Sequence, residues 1–178
     1  MNDSQNITLI SFGYFEKDFL GKVAGAVKQE FSFPVNVKEG RIDLSEFYDP
    51  GRRQYDGIRL LKEMDSMIHP EAIKTLGLFN VDLFIPILTY IFGQAYLRGR
   101  CGIVSTYRLK NELYGMRQDE DLLNNRFRKV CIHEIGHAFG LIHCHTPTCV
   151  MKSSTYVEDI DLKRHTLCIK CRNEIGIK

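Results

Sequence analysis

Two histidines lie four residues apart in the longest helical pattern of the chain, and a glutamate follows the first of them directly. The segment from His133 to His143 reads HEIGHAFGLIH. Residues four apart on a helix share one face, so His133 and His137 can bind the same metal ion. Gly140 allows the backbone to leave the helix sharply, and that turn can bring His143 round as a third ligand.

Three protein ligands leave one coordination position for water, which is typical of a catalytic zinc and not of a structural one. Zinc lowers the pKa of such a water to about 7 and polarises a carbonyl group. Glu134 stands next to the first ligand and would take the proton as general base, then deliver it to the leaving amine. The pattern predicts amide hydrolysis without a covalent intermediate. The alternative is an amphipathic helix with surface histidines, against which the spacing of Gly140 and His143 argues.

Four cysteines follow the histidine segment, in a spacing that is typical of structural zinc. They are Cys144, Cys149, Cys168 and Cys171. Two thiols followed by a Cys-x-x-Cys pair predict a site with four thiolate ligands and no open position, so this zinc would stabilise the tail without doing chemistry. Two alternatives stay open: buried or disulfide-bonded cysteines, and a site in which His145 replaces one thiolate.

Composition and charge are those of a globular protein. The chain has 178 residues, of which 44% are apolar and 26% charged, and this suits one domain with a sizeable core. The formal net charge of +2 argues against a dedicated nucleic-acid binder. The longest mainly apolar stretch, 81–92, is interrupted by Asp82 and Thr89 and is too short to cross a bilayer.

The first six residues, MNDSQN, show no basic segment followed by an apolar one. This pattern does not predict a secretory signal, so we expect a cytoplasmic protein with reduced cysteines. Cys101 and Cys131 lie outside both proposed metal sites, and we interpret them as buried thiols. His69 and His165 are expected on the surface.

Hydrophobic periodicity predicts an α/β (α+β) domain. We expect helices at 16–31, 56–68 and 119–141, and strands at 7–12, 33–37, 81–85 and 102–107. The segment 81–85 is the best candidate for a central strand and should end at Pro86, which cannot donate to a ladder. Long loops are expected at 38–55 and 93–100. The whole chain, 1–178, is interpreted as one catalytic domain, with an upper part at 1–143 and a small zinc-stabilised lobe at 144–178.

The segment 132–171 resembles the archaemetzincins, a branch of the metzincin zinc peptidases. The residues that carry the resemblance are His133-Glu134-x-x-His137-x-x-Gly140-x-x-His143, then Cys144, Cys149, Met151, Cys168 and Cys171. The first part is the metzincin signature. Upstream, Gly93-Gln94-Ala95 and Val104-Ser105-Thr106 are weaker matches. The resemblance implies a zincin-like fold: a twisted mixed sheet with an active-site helix, a small C-terminal lobe and a cleft between them.

The same resemblance implies roles for two further parts of the chain. Met151 would form an apolar floor beneath the zinc-binding histidines. The predicted strand at 102–107 would be an edge strand that pairs with a peptide substrate. Some metzincins use a tyrosine ligand two residues after this methionine, but Ser153 stands there in this chain, so no such ligand is expected.

We therefore expect a cytoplasmic zinc metallopeptidase with two zinc ions, one catalytic and one structural. Its substrates would be peptides or proteins, with no nucleic-acid or membrane partner. The alternative is a catalytically silent, zinc-containing binding protein of the same fold. Since all the proposed catalytic residues are present, the sequence favours the enzyme.

Overall fold

Two β-sheets and five α-helices form the part of the chain that the computed structural model describes, residues 5–177. The strands are β1 (Asn6–Ser11), β2 (Val35–Glu39), β3 (Tyr48–Asp49), β4 (Gln54–Asp56), β5 (Ala72–Phe79), β6 (Leu83–Ile85), β7 (Leu88–Ile91), β8 (Gly93–Ala95) and β9 (Cys101–Ser105). The helices are α1 (Lys17–Phe31), α2 (Gly57–Ser66), α3 (Glu120–Phe139), α4 (Val157–Asp161) and α5 (Ile169–Glu174). The expectation that the chain has no secretory signal concerns residues 1–6, and residues 1–4 lie outside the described residues.

The larger sheet has the strand order β2-β1-β5-β9-β8 and is mixed. Its first four strands are parallel, and β8 is antiparallel to β9. Successive side chains of a strand point to opposite faces, so Leu9 joins the core under α1 and α3, whereas Ile10 joins the core under α2. Burial of the inner strands β1, β5 and β9 on both faces makes this sheet the scaffold that positions α3. The mixed α/β fold expected from the sequence is confirmed.

The predicted central strand at 81–85 is wrong. Residues Leu83–Ile85 form a short strand, β6, in a second sheet of order β3-β4-β6-β7, and that strand ends before Pro86 as expected. The middle strand of the main sheet is β5, which the sequence reading missed because Lys74, Thr75 and Gly77 interrupt its apolar pattern. Gly77 is needed there, since a Cβ would lie 2.9 Å from Met64 Sδ.

The prediction that 102–107 is an edge strand is also wrong. The predicted strand at 102–107 is β9, but it pairs with β5 on one side and β8 on the other, so it is internal. The edge next to it is β8, in a segment that we expected to be a loop. The expected loop at 38–55 likewise contains the end of β2, a short 3-10 helix, β3 and the start of β4.

The three predicted helices are confirmed to within two residues at each end, and α3 connects the sheet to the C-terminal segment. Asp119 caps the start of α3 by accepting a 2.8 Å hydrogen bond from the Leu122 amide. Further along α3, the Arg126 guanidinium makes two bonds to Asp161, of 2.7 and 2.6 Å. Lys129 Nζ donates to the Ile160 carbonyl. These buried contacts hold α4 against α3.

Candidate active site

The end of α3 is a tight turn that sets the direction of the following chain. Gly140 adopts a left-handed φ of 109°. The Leu141 amide donates to the Gly136 carbonyl (3.0 Å), and the Gly140 amide donates to the His137 carbonyl (2.9 Å). This pair of bonds is a Schellman ending, which glycine favours. The chain therefore turns back at the residue that the sequence indicated.

The turn brings three imidazoles together. One ring nitrogen from each of His133, His137 and His143 lies within 4.8 Å of the others. The ring centroids are 4.6 Å apart for His133 and His137, and 5.3 and 5.0 Å from these two to the exposed His143. Three nitrogens at this spacing can converge on one ion.

The hydrogen bonds of the first two rings fit a metal at their other nitrogens. His133 Nδ1 lies 2.8 Å from the Val150 carbonyl, and His137 Nδ1 lies 2.7 Å from the Leu141 carbonyl. A carbonyl oxygen only accepts, so each Nδ1 carries the proton and each neutral ring presents a lone pair at Nε2. The two Nε2 atoms are 3.0 Å apart. Two facing lone pairs repel each other unless a cation lies next to both, so this donor set fits zinc.

Burial also keeps the three rings in the form that binds metal. It lowers the pKa of His133 well below the usual 6.5, and it lowers the pKa of His137 and His143 as well. The charge of Lys163 acts in the same direction on all three rings. Since only the unprotonated imidazole ligates metal, the histidine cluster is ready to bind near neutral pH.

Glu134 is the neighbouring carboxylate and is almost completely buried. Burial raises its pKa to about 8, and the Lys163 charge opposes that rise. Gly93 of β8 packs directly against it, because a Cβ at Gly93 would lie 2.8 Å from Glu134 Cγ. The absence of a side chain at Gly93 thus lets the edge strand approach the carboxylate.

Met151 is fully buried beside the backbone of α3. A Cβ at Gly136 would lie 2.4 Å from Met151 Sδ, so the thioether occupies the space that Gly136 leaves open between the two helical histidines. This position fits the apolar floor that the resemblance implied. Met151 is held there by its backbone, whose carbonyl accepts a bond from the Cys144 amide (2.9 Å).

The four C-terminal cysteines form a second cluster. Their Sγ atoms lie within 4.8 Å of one another, and all four thiols are free. The cluster consists of Cys144, Cys149, Cys168 and Cys171, and the exposed His145 is not among its members. Cys101 and Cys131 are buried elsewhere, as expected.

Backbone amides stabilise negative charge on these sulfurs. The Thr146 amide donates to Cys144 Sγ (3.4 Å), and the Cys168 amide donates to Cys149 Sγ (3.3 Å). Burial raises the pKa of the Cys168 thiol, but hydrogen bonds from Cys171 and its neighbours outweigh burial and lower this pKa to about 6. Amide-to-sulfur bonds of this kind suit thiolates around a metal ion, so the set fits structural zinc.

A cleft of about 680 Å³ opens in front of the histidines. One wall is the segment from Leu88 to Leu97, which includes β8, and the other wall runs from Ser153 to Lys163. Tyr90 Oη donates to the Thr155 carbonyl (3.0 Å) and joins the two walls. The site is therefore open to a ligand along the edge of the main sheet.

A family model described as "Peptidase family M54" matches residues 11–176. The chain belongs to peptidase family M54. It is accordingly a zinc metallopeptidase, and the recognition made from the residues is confirmed. The M54 match begins at the last residue of β1, so it covers most of the main sheet together with the histidine cluster and the cysteine cluster.

Relatives and solved structures of known name agree with this family. An archaemetzincin of Thermococcus kodakarensis is 35% identical over 176 residues, which is 95% of this chain and 94% of that protein. A zinc-dependent peptidase from Methanocorpusculum labreanum has a TM-score of 0.87 at 31% identity, covering 96% of this chain and all of that one. The archaemetzincin of Methanopyrus kandleri has a TM-score of 0.86 at 30% identity, covering 99% and 96%.

One residue of this M54 site was missed by the sequence reading. Lys163 lines the cleft, is buried, and donates from Nζ to the carbonyls of Val150 (3.0 Å) and Lys152 (2.6 Å). It lies twenty residues after His143, in a polar segment without periodicity. Because its position depends on the path of the lobe, no local signal could have found it.

No helix within residues 5–177 is long and apolar enough to cross a bilayer.

Proposed function

We propose that this chain hydrolyses peptide bonds at a zinc ion held by His133, His137 and His143, with Glu134 as the general base. The observation that carries the proposal is the orientation of the first two rings. Both Nδ1 atoms face backbone carbonyls, so both Nε2 lone pairs face the same point beside His143. A zinc ion bound there supplies a Lewis acid for the substrate carbonyl and lowers the pKa of a water molecule to about 7.

Glu134 is suited to the proton transfers of this reaction. It follows His133 in α3, and its side chain lines the cleft. A carboxylate beside the three histidines can accept a proton from a zinc-bound water and return it to a leaving amine. The pKa of about 8 belongs to the metal-free protein, and the charge of a bound zinc ion would favour the carboxylate form. Gly93 lets the substrate-facing strand lie close to this group.

The edge strand β8 is the proposed platform for the substrate backbone. No strand within residues 5–177 pairs with its outer side, and Gly93, Gln94 and Ala95 line the cleft. An extended peptide can add to such an edge through main-chain hydrogen bonds. The substrates are therefore peptides or unfolded protein segments that reach the cleft in extended form.

The cysteine cluster is the proposed site of a second, structural zinc. Four thiolates from Cys144, Cys149, Cys168 and Cys171 complete its coordination, so no position remains for water. The site would fix α5 and the turn containing Met151 to the end of α3. The resulting organisation is one catalytic domain, with the upper part at 1–143 and the zinc-stabilised lobe at 144–178.

A catalytically silent binding protein is the competing proposal, and two features would support it. One is a closed cleft and the other is a fourth protein ligand at the histidines. The cleft is open, and within residues 5–177 no further histidine, cysteine or carboxylate joins the three imidazoles. The absence of both features from the described part of the chain therefore favours the enzyme.

A pair of histidine variants tests the proposed function. His143→Ala removes one ligand, whereas His145→Ala removes an exposed histidine two residues away that lies outside both clusters. We expect wild type and His145→Ala to carry two zinc ions and to cleave members of a peptide library. His143→Ala should lose the histidine-bound zinc and all measurable cleavage but stay folded. Zinc content by mass spectrometry and cleavage by chromatography measure both effects, and equal cleavage by all three proteins would refute the proposal.

A further inference from the structure

Lys163 is the one cation among the residues that line the described cleft, and Glu134 is the one carboxylate. None of the ion pairs formed within residues 5–177 includes Lys163. Glu134 is committed to the reacting water in the proposed function. The cleft wall therefore carries a buried positive charge that no carboxylate of the described chain pairs with.

Two backbone carbonyls fix the position of the Lys163 ammonium. Its bonds to the carbonyls of Val150 and Lys152 use two of its three N–H groups, and the third has no partner within residues 5–177. The Val150 carbonyl also accepts the bond from His133 Nδ1. Lys163 Nζ is thus two hydrogen bonds away from the His133 ring, and Lys163 lines the same cleft as the three histidines.

The Lys163 ammonium interacts electrostatically with Glu134 but makes no direct ion pair with it. A buried charge is costly unless an opposite charge pairs with it directly. We propose that Lys163 is a specificity-determining residue that selects substrates with a carboxylate side chain, aspartate or glutamate, at one of the two positions flanking the scissile bond. The inference rests on the proposed function. The neighbouring wall supplies serine and threonine at 153–155, which suits a polar side chain, and Tyr90 and Tyr156 flank it.

Discrimination arises because a neutral side chain leaves the ammonium without a charged partner once the substrate fills the cleft and excludes water. Sites built for a polar partner reject analogues that lack it more strongly than apolar pockets reject a missing methylene. Truncating one member of a buried charge pair costs enough to change binding by more than about tenfold. We therefore expect a preference of at least about tenfold for Asp over Asn, or Glu over Gln, at the selected position.

Matched peptides test this proposal. Pairs that differ only by Asp/Asn or Glu/Gln, placed on either side of the cleaved bond, are compared by kcat/KM. Wild type should prefer the acid at one position, and Lys163→Gln, which keeps amide donors but loses the charge, should abolish the preference. Lys152→Met is the control, because it removes an exposed lysine of the same segment and should leave the preference intact. Lys163→Arg should retain part of the preference.

Two outcomes would overturn the inference. One is a wild-type protein that cleaves acid and amide peptides equally well, a result that needs no folded variant. The other is a uniform loss of kcat/KM for every peptide in Lys163→Gln with unchanged zinc content, which would assign Lys163 a purely positioning role. If wild type cleaves nothing, the proposed function fails instead. The same peptide pairs are then measured for binding to the wild-type protein by fluorescence anisotropy, where equal affinities would also overturn the inference.

Discussion

Replacing Glu134 by Gln is expected to reduce peptide cleavage by about 10²–10⁴-fold, the contribution typical of a positioned general base. The amide has nearly the same shape but cannot take a proton. Zinc content should stay at that of the wild type, because the ligand set does not include Glu134. The variant should also fold, since Gln removes a buried charge whose burial raises the pKa to about 8 in the metal-free protein. Initial cleavage rates on one peptide that the library identifies as a substrate measure the loss of activity.

The control for Glu134→Gln is Glu120→Gln, an exposed position in the first turn of the same helix. It should cleave at the wild-type rate. A Glu134→Gln protein with full zinc content and wild-type cleavage would exclude Glu134 as the base. A variant that loses zinc would mean that the carboxylate contributes to metal binding, and the role in proton transfer would have to be reassigned.

Of the substitutions proposed for this protein, Cys171→Ser is expected to lower the free energy of unfolding most. Cys171 is nearly fully buried within the cysteine cluster, and a serine hydroxyl is a poor zinc ligand. Loss of a structural metal belongs to the few changes that destabilise a domain by more than about 4 kcal/mol. For a chain of this length that corresponds to a fall in Tm of roughly 8–16 °C. Zinc content should fall by one ion per chain, and calorimetry measures the shift in Tm.

Cys101→Ala is the matched control, because Cys101 is an equally buried free thiol outside both metal clusters. It should keep both zinc ions and lose only the smaller free energy expected for trimming a core side chain. Equal shifts in Tm for the two variants, or unchanged zinc in Cys171→Ser, would contradict a structural metal in the lobe.

The helix α3 and the cluster of three histidines could be predicted because their signals are local. The four-residue spacing of His133 and His137, the acidic start of α3 and Gly140 at its end depend only on helix geometry and on the conformational freedom of glycine. The turn at Gly140 also orients the His137 ring, since the Leu141 carbonyl that follows this turn accepts a hydrogen bond from His137 Nδ1. The cysteine pattern is equally local, with a Cys-x-x-Cys pair at the start of α5.

The errors concern features that only tertiary structure determines. Strand β5 is central because it is buried on both faces, yet its Lys74 and Gly77 resemble surface and turn residues in sequence. Lys74 is satisfied by the carbonyls of Gly99 and Ala138, which come from distant segments. Strand β8 is three residues long and forms only because β9 offers its edge. Such pairings leave no periodic trace in the sequence.

The location of zinc tests the central claim most directly. A crystal of the zinc-loaded protein, measured on both sides of the zinc absorption edge, gives an anomalous difference map that identifies the metal and its ligands. We expect one peak bonded to nitrogens of His133, His137 and His143 with a position left for solvent, and a second peak among the four cysteine sulfurs. A map with no zinc peak at the histidines, or with a fourth protein ligand closing that site, would contradict the account.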